Sequence, residues 1–513
     1  MPASVAEMPT IKAARLGCGE FRRRHGLKYA YVAGAMYKGI ASRHLVSRMG
    51  RAGLLGFLGT GGMKLEQIEA DLRWIAAELG GKGAYGANFL STPFNPEIEH
   101  AVAELLLRLG VPRIEAAAFT QVSIDLVWLR AKGLRRDEAG EVIAPRMIVA
   151  KVSRPEVAAQ FLRPAPAQLL VKLVAAGAIT TAEAELAQRV PMADDVCVEA
   201  DSGGHTDRGV AYALLPVMLS LRDELSRTHG YARKIGIGAA GGLGTPEAVA
   251  ASFVMGADFV LTGSVNQCTV ESGASETVKD MLQEAEVQDM DIVPAGDMFE
   301  MGAKVQVFKR GLLFPGRAKK LYELYKQFDS LEQIDAKTRE QIETRYFKRT
   351  FEAVWAETRE FYLSRAPATI ERAERDPKHK MALIFRWYFV HTSRLALRGE
   401  VAERTDFQIH SGPALGSFNR FVKGRHEENW RNRYVDGIAD LLMQDLAIRD
   451  HIETKLAHAG LSDITIQRRG EVAVDIHTAR PGIVIGKSGS EVDALRKDLH
   501  KITGQPVKVN IRE

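Results

Sequence analysis

Two stretches of this chain hold residues whose types and spacing could do chemistry. Val198–Gly209, VEADSGGHTDRG, runs from an acidic strand end through two glycines to a histidine. Gly203 and Gly204 lack side chains, so a planar ring of flavin size can lie against their backbone. His205 would then stand beside that ring as a group that titrates near neutrality and can donate a proton. The competing reading is a turn histidine bonded to Glu199 or Asp201; the EADSGGH context favours the proton donor. The second stretch, Ile237–Gln267, reads IGAAGGLGTPEAVAASFVMGADFVLTGSVNQ. Gly241 and Gly242 end one strand there, and Gly263 and Ser264 end the next. Bare N–H groups on two consecutive loops, with a helix N-terminus, suit a phosphate dianion. Tight strand–helix turns are the alternative.

Single residues fit the same chemistry. Lys151 ends RMIVAK, where a cation would stabilise a reduced, anionic flavin near its pyrimidine edge. A solvated or ion-paired lysine is an equal alternative. Asn88, in GANFL, can donate to and accept from a flavin edge, or close an Asx turn before Pro93. Gly56–Gly62, GFLGTGG, either wraps a cofactor or forms a flexible turn. Gly236–Gly241 spells GxGxxG, but a dinucleotide fold needs an acidic residue at the end of the following strand. Asp258 stands at a strand start instead, so the motif reads as a decoy.

The elements that must position these residues alternate. From about Ala30 to Gly263, short apolar runs (YAYVAGAM, AYGANFL, RIEAAAF, RMIVAKVS, DVCVEAD, KIGIGAAGG, DFVLTGS) are each followed by a helical pattern. That predicts a parallel sheet, α/β in class. Seven strands are visible. Polar or glycine residues just after each strand point to a (β/α)8 TIM barrel, with an open doubly wound sheet as the competitor. Residues 281–443 read as a helical subdomain interrupted by aromatic-rich turns, Phe385–Phe389 and DFQIHSGPALGSFNRF. Residues 444–513 read as a compact α-β-β-α-β unit with a turn near Gly470. Its Gly486-Lys487-Ser488-Gly489 is a GxxG loop between two helical patterns, which lets a nucleic-acid backbone approach. Arg480, Lys487, Arg496 and Lys497 would neutralise phosphates, although a solvated face is the plainer reading of the last two.

Composition bounds these readings. A chain of 513 residues predicts more than one domain. A net charge of +5 is too small for a chain that binds nucleic acid over its whole surface. Cys18, Cys197 and Cys268 have neither disulfide-framework nor zinc spacing, which suits a reducing cytoplasm. No secretory pattern and no apolar run of membrane length is present, so a membrane partner is not expected.

Residues 28–443 resemble the trans-acting enoyl reductases of polyketide and polyunsaturated fatty-acid synthases, within the FMN-dependent nitronate monooxygenase (2-nitropropane dioxygenase-like) superfamily. The matching text includes AKVSRPEVAAQFLRPAP, PMADDVCVEADSGGHTD, PAGDMFEMGAKVQVFKRG and AERDPKHKMALIFRWYF. The resemblance implies an FMN-binding barrel over residues 1–280 that reduces enoyl thioesters on acyl carrier protein with NAD(P)H. It implies that Asn88, Lys151, Gly203, Gly204, His205, Gly241, Gly242, Gly263 and Ser264 line the flavin, with 281–443 docking the carrier. Departures occur at Ser91, where a histidine is expected, and at Ile409-His410-Ser411, which replace an aromatic residue and a cysteine. They bear on substrate preference. The tail, with HTARPGIVIGKSGSEVDALRKDL, resembles the type II KH domain of a small-subunit ribosomal protein and implies a single-stranded RNA partner. Neither resemblance predicts the other. An oxygen-using nitronate oxidase and an RNA-binding protein with a scaffold barrel remain as alternatives. The assembly state is open, a homodimer being one outcome.

Overall fold

The computed structural model describes residues 15–93, 95–363, 365–468, 472–504 and 506–512; the expected turn at Gly470 lies outside them. Eight short strands form a closed barrel: β1 (Tyr31–Ala33), β2 (Leu55–Leu58), β3 (Tyr85–Leu90), β4 (Arg113–Ala117), β5 (Met147–Val152), β6 (Asp195–Glu199), β7 (Gly236–Ala240) and β8 (Phe259–Thr262). Every neighbouring pair is parallel, and β1 closes against both β2 and β8. The doubly wound alternative is thereby removed. The strand that the sequence conceals is β2. Its four residues, LGFL, sit in a glycine-rich run and make no conspicuous apolar block. Gly56 lies inside it because a Cβ there would press on the Val46 backbone of helix Arg43–Arg51.

Side-chain size sets the taper of the barrel interior. A Cβ on Gly86 would strike the Phe57 ring, and one on Gly238 the Phe259 ring. Helix Gly19–His25 closes the end at which the strands begin. Its Phe21 stacks on Phe259 at 4.3 Å, within a cluster that includes Leu55, Phe57, Val149, Cys197 and Leu261. Beside it, buried Asp195 accepts from His25 Nε2 at 2.8 Å and pairs with Arg24. Arg113 Nε donates to His25 Nδ1 at 3.2 Å, which fixes the imidazole tautomer. Outer helices start at side-chain caps, such as Ser42 accepting from Leu45 N and Ser123 from Leu126 N.

The chain divides into two compact units, 1–200 with 209–273 and 417–513, and 201–208 with 274–416. These do not coincide with divisions at 280/281 and 443/444. Asp201–Arg208 leaves the barrel text to join the second unit, where Gly204–His205 pairs antiparallel with Val305–Gln306. That sheet also contains Met290–Pro294 against Lys304–Phe308. Phe385–Phe389, expected to be a turn, lies inside the 22-residue helix Pro377–Arg398. The reason is spacing: Phe385, Tyr388, Phe389 and Thr392 recur three and four apart and are all buried on one face. Phe385, Tyr388 and Phe389 pack with Phe299, Phe314, Phe347 and Phe351.

The tail forms a three-stranded sheet. Leu461–Arg468 is antiparallel to Val472–Thr478, which is parallel to Val507–Arg512. Helix Ser490–Thr503 covers it through Val492, Leu495 and Leu499. The first helix of this unit is not separate. Val435–Lys455 runs without a break from the end of the barrel text into the tail. Its first turns pack on helices Arg43–Arg51 and Pro246–Val254, and Ile448 and Ile452 enter the core of the tail. Among the described residues no helix is long and apolar enough to cross a membrane.

Candidate cofactor and nucleic-acid sites

The carboxyl ends of β3, β4, β5 and β6 bring Asn88, Glu115, Lys151 and Glu199 together. Register explains it: Asn88 pairs with Glu115 across β3 and β4, and Lys151 with Cys197 across β5 and β6. Asn88 Nδ2 donates to Glu115 O at 3.1 Å and lies 3.4 Å from Glu115 Oε1. Lys151 Nζ lies 3.7 Å from Glu115 Oε1 and 3.5 Å from Glu199 Oε1. At an effective dielectric of about 20, each such pair carries about 5 kcal/mol of Coulomb attraction. Burial works against the Lys151 charge, but Glu199 and Glu115 outweigh it and push its pKa above the ordinary lysine range. Lys151 is therefore an ammonium ion at neutral pH. Burial pushes Glu115 up, opposed by Lys151 and by the Ala35 N–H that donates to Oε2 at 3.0 Å. The same burial holds Cys197 as a neutral thiol. Sequence reasoning passed over Glu115. The available signal was a carboxylate inside the apolar run RIEAAAF.

The two glycine loops lie at the ends of the paired strands β7 and β8. Gly241 and Gly242 have φ of 89° and 75°, consecutive left-handed conformations that favour glycine. A Cβ built on Gly242 or on Gly263 would meet no heavy atom within 4 Å, so main chain is accessible at both positions. Ser264 begins the short helix Ser264–Gln267, and helix Pro246–Val254 follows the first loop with Thr245 as its cap. The GxGxxG glycines have packing reasons. A Cβ on Gly236 would strike Asp195, and one on Gly238 would strike Phe259. Asp258 accepts from Ile237 N at 2.8 Å and from Lys234 Nζ at 2.6 Å, and pairs with Arg222, so it serves the barrel wall. Within Gly56–Gly62, Gly59 is packed against the Met36 backbone, and Gly59 N donates to Ala41 O at 3.0 Å. That part of the run is a fixed turn.

In the second unit, His205 Nε2 lies 3.1 Å from Asp297 Oδ1, and the imidazole is 40% exposed. Asp297 is lowered from its ordinary range: partial burial opposes ionisation, and the His205 hydrogen bond and charge overcome it. Its carboxylate accepts from Nε2 and orients the ring. His410 also acts on Asp297 electrostatically, and its own Nε2 lies 2.7 Å from Gln408 Nε2. Gly203 has a packing reason to be glycine, because a Cβ would clash with the Ser411–Gly412 backbone. Gly204 has φ of 78°. Asp297 was not singled out from sequence, because it lies 92 residues away in PAGDMFEMG.

In the tail, Gly486–Gly489 joins helices Pro481–Ile485 and Ser490–Thr503. Gly486, Ser488 and Gly489 all have positive φ, and a Cβ on Gly489 would meet nothing within 4 Å. The loop therefore presents backbone rather than side chains. Arg480 flanks it and reaches His458 O at 3.4 Å, while Arg496 is paired with Asp493 at 2.8 Å.

Comparison with known proteins matches each part to a separate family. Residues 23–309 match nitronate monooxygenase, residues 328–407 the inserted helical domain of [acyl-carrier-protein] S-malonyltransferase, and residues 447–513 the KH domain. The polyketide biosynthesis protein PksE of Bacillus subtilis (strain 168) is 53% identical over 441 residues, covering 86% of this chain and 57% of that protein. The crystal structure of the enoyl reductase domain of MlnA, from the macrolactin biosynthesis cluster of Bacillus amyloliquefaciens, superposes with a TM-score of 0.82 at 44% identity, covering 86% of this chain and 99% of that one. The small ribosomal subunit protein uS3 of Rubrobacter xylanophilus (strain DSM 9941 / JCM 11954 / NBRC 16129 / PRD-1) is 64% identical over 111 residues, covering 21% of this chain and 50% of that protein. The chain thus spans about half the length of these curated relatives.

Proposed function

The chain belongs to the nitronate monooxygenase family, an oxidoreductase family, and within it we propose that it is an FMN-dependent enoyl reductase acting on carrier-bound enoyl thioesters with NAD(P)H. The observation that carries this reading is the likeness to the enoyl reductase domain of MlnA across nearly all of that domain. The residues fit the cofactor. Gly242 and Gly263 have the accessible main chain a phosphate needs, and Lys151 is a half-buried cation that shares Glu115 Oε1 with the Asn88 amide. FMN would supply the hydride that passes from NAD(P)H to the β-carbon of the enoyl group. Gly241, Gly242, Gly263 and Ser264 would hold its phosphate, and Lys151 would place positive charge against its pyrimidine edge. His205, oriented by Asp297, would donate the proton to the α-carbon. The helices of 328–407 would receive the acyl carrier protein, in keeping with their likeness to an inserted domain of a carrier-dependent transferase.

The test is spectroscopic. Purified protein should take up FMN and absorb near 450 nm, about the usual position for an oxidised flavin. Anaerobic NADPH should bleach it, and a crotonyl-type thioester should restore the band. Failure to take up FMN would overturn the proposal. Oxygen consumption with a nitronate, without thioester reduction, would replace it with the oxidase reading.

A second reading concerns the tail alone. The KH match and the backbone-presenting Gly486–Gly489 loop support single-stranded RNA as a ligand there. Changing Lys487 and Ser488 to Glu should weaken binding and flatten its salt dependence. Unchanged affinity would remove this loop from the site.

A further inference from the structure

Glu115 is a fully buried charged group of the barrel that the reaction described above does not use. It is 0% exposed, on a strand whose neighbours Ile114 and Ala116 are equally buried. An apolar residue of similar volume would fill the space without burying a charge. Its contacts give another reason for the carboxylate. Oε1 faces Asn88 Nδ2 at 3.4 Å on one side and Lys151 Nζ at 3.7 Å on the other. Oε2 is anchored by the Ala35 N–H at 3.0 Å, so the group cannot rotate away without losing that bond. One immobile carboxylate thus touches two residues from the strands flanking its own.

These contacts constrain both neighbours. The Asn88 amide has a donor side and an acceptor side. Directing Nδ2 at Glu115 turns Oδ1 the other way. The Lys151 ammonium is held by Glu115 and Glu199, whose placement on β4 and β6 brackets β5. We propose that Glu115 is a positioning residue, which fixes the direction of the Asn88 amide and keeps Lys151 charged and aimed at the cofactor edge. The inference rests on the assignment of Asn88 and Lys151 to the cofactor, and adds the group that orients them.

The test follows Lys151 directly, in full-length protein without added FMN. A small acylating reagent is applied across a pH series, and modification of Lys151 is compared by peptide mass spectrometry with that of exposed Lys497. Glu115→Gln should raise Lys151 modification relative to Lys497 by about tenfold near pH 8, the amount expected if its pKa falls by about one unit. Glu115→Asp keeps the charge but shortens its reach, and should give a smaller rise; it also serves if the glutamine variant does not fold. A parallel titration with FMN should show weaker uptake in both variants. Unchanged Lys151 modification in the folded variants would overturn the proposal, whatever FMN does. Increased modification in a protein whose wild type takes up no FMN would keep the Glu115–Lys151 relation and remove only its cofactor role, which separates this inference from the flavin reading.

Discussion

At His205, the roles of proton donor and turn anchor can be separated through Asp297, whose carboxylate meets Nε2. His205→Ala should leave FMN absorbance intact and lower turnover of a crotonyl-type thioester by about 10²- to 10⁴-fold, the range for a lost general acid. Asp297→Asn should cause a smaller loss, since the imidazole remains and only its orientation is relaxed. Stopped-flow measurement of the oxidative half-reaction checks both. Glu115 gives a pH dependence with a definite sign. Burial raises its pKa above 4.5, so the folded state holds the proton more tightly than the unfolded chain. Its contribution to stability is complete below the unfolded value and is lost as pH rises through the folded one. Glu115→Gln has no such slope. The melting temperature of wild type minus that of the variant should therefore fall as pH rises above the ordinary glutamate range. A difference that is flat or rises with pH would contradict the direction.

Whole elements were legible in the sequence where one physical signal dominated. Seven barrel strands showed as buried apolar runs, and their alternation with helices gave the barrel. The eighth, β2, was hidden because its LGFL is embedded in glycines that exist for helix–strand contact, a long-range cause invisible to a local pattern. Helix Pro377–Arg398 was obscured differently. Five consecutive large or charged residues suggest a break, yet period 3.6 sorts them, with Phe385, Tyr388 and Phe389 inward and Trp387 partly exposed. The glycine loops and Lys151 could be singled out because their position at strand ends is a local signal. Glu115 was not, because its meaning comes from strands on either side. Helix Gly19–His25 makes an expectation at this scale. Phe21 is 1% exposed and stacks on Phe259 at the barrel floor. Phe21→Ala should cost about 3–5 kcal/mol in chemical unfolding, as for other buried aromatic truncations. A loss below about 1 kcal/mol would mean the floor can collapse around the missing ring.

At the scale of the molecule, helix Val435–Lys455 decides whether barrel and tail act separately. Glu271 accepts from its first N–H at Val435, Arg48 binds Asp436 at 2.7 Å, and Asp440 accepts from Tyr29 at 2.9 Å. Those bonds tie its first turns to the barrel, while Ile448 and Ile452 lie in the core of the tail. Between them, Asp445 is fully buried against Arg425 Nη1 at 3.1 Å, and the same guanidinium nitrogen reaches Ile466 O in the tail sheet at 3.4 Å. One rigid element therefore belongs to two cores, with a buried ion pair at the junction. A tail that swings on a linker would unfold independently of the barrel; a tail built on a shared helix should not. Arg425→Met removes the buried ion pair between Arg425 and Asp445, which is expected to cost about 3–5 kcal/mol. Amide exchange should then accelerate together in Val472–Thr478 of the tail and in the barrel-bound turns of the helix around Ile438–Leu442. Acceleration confined to the tail, with the barrel turns unchanged, would show that the helix does not couple the two cores, and that any RNA held at Gly486–Gly489 is mechanically separate from the barrel.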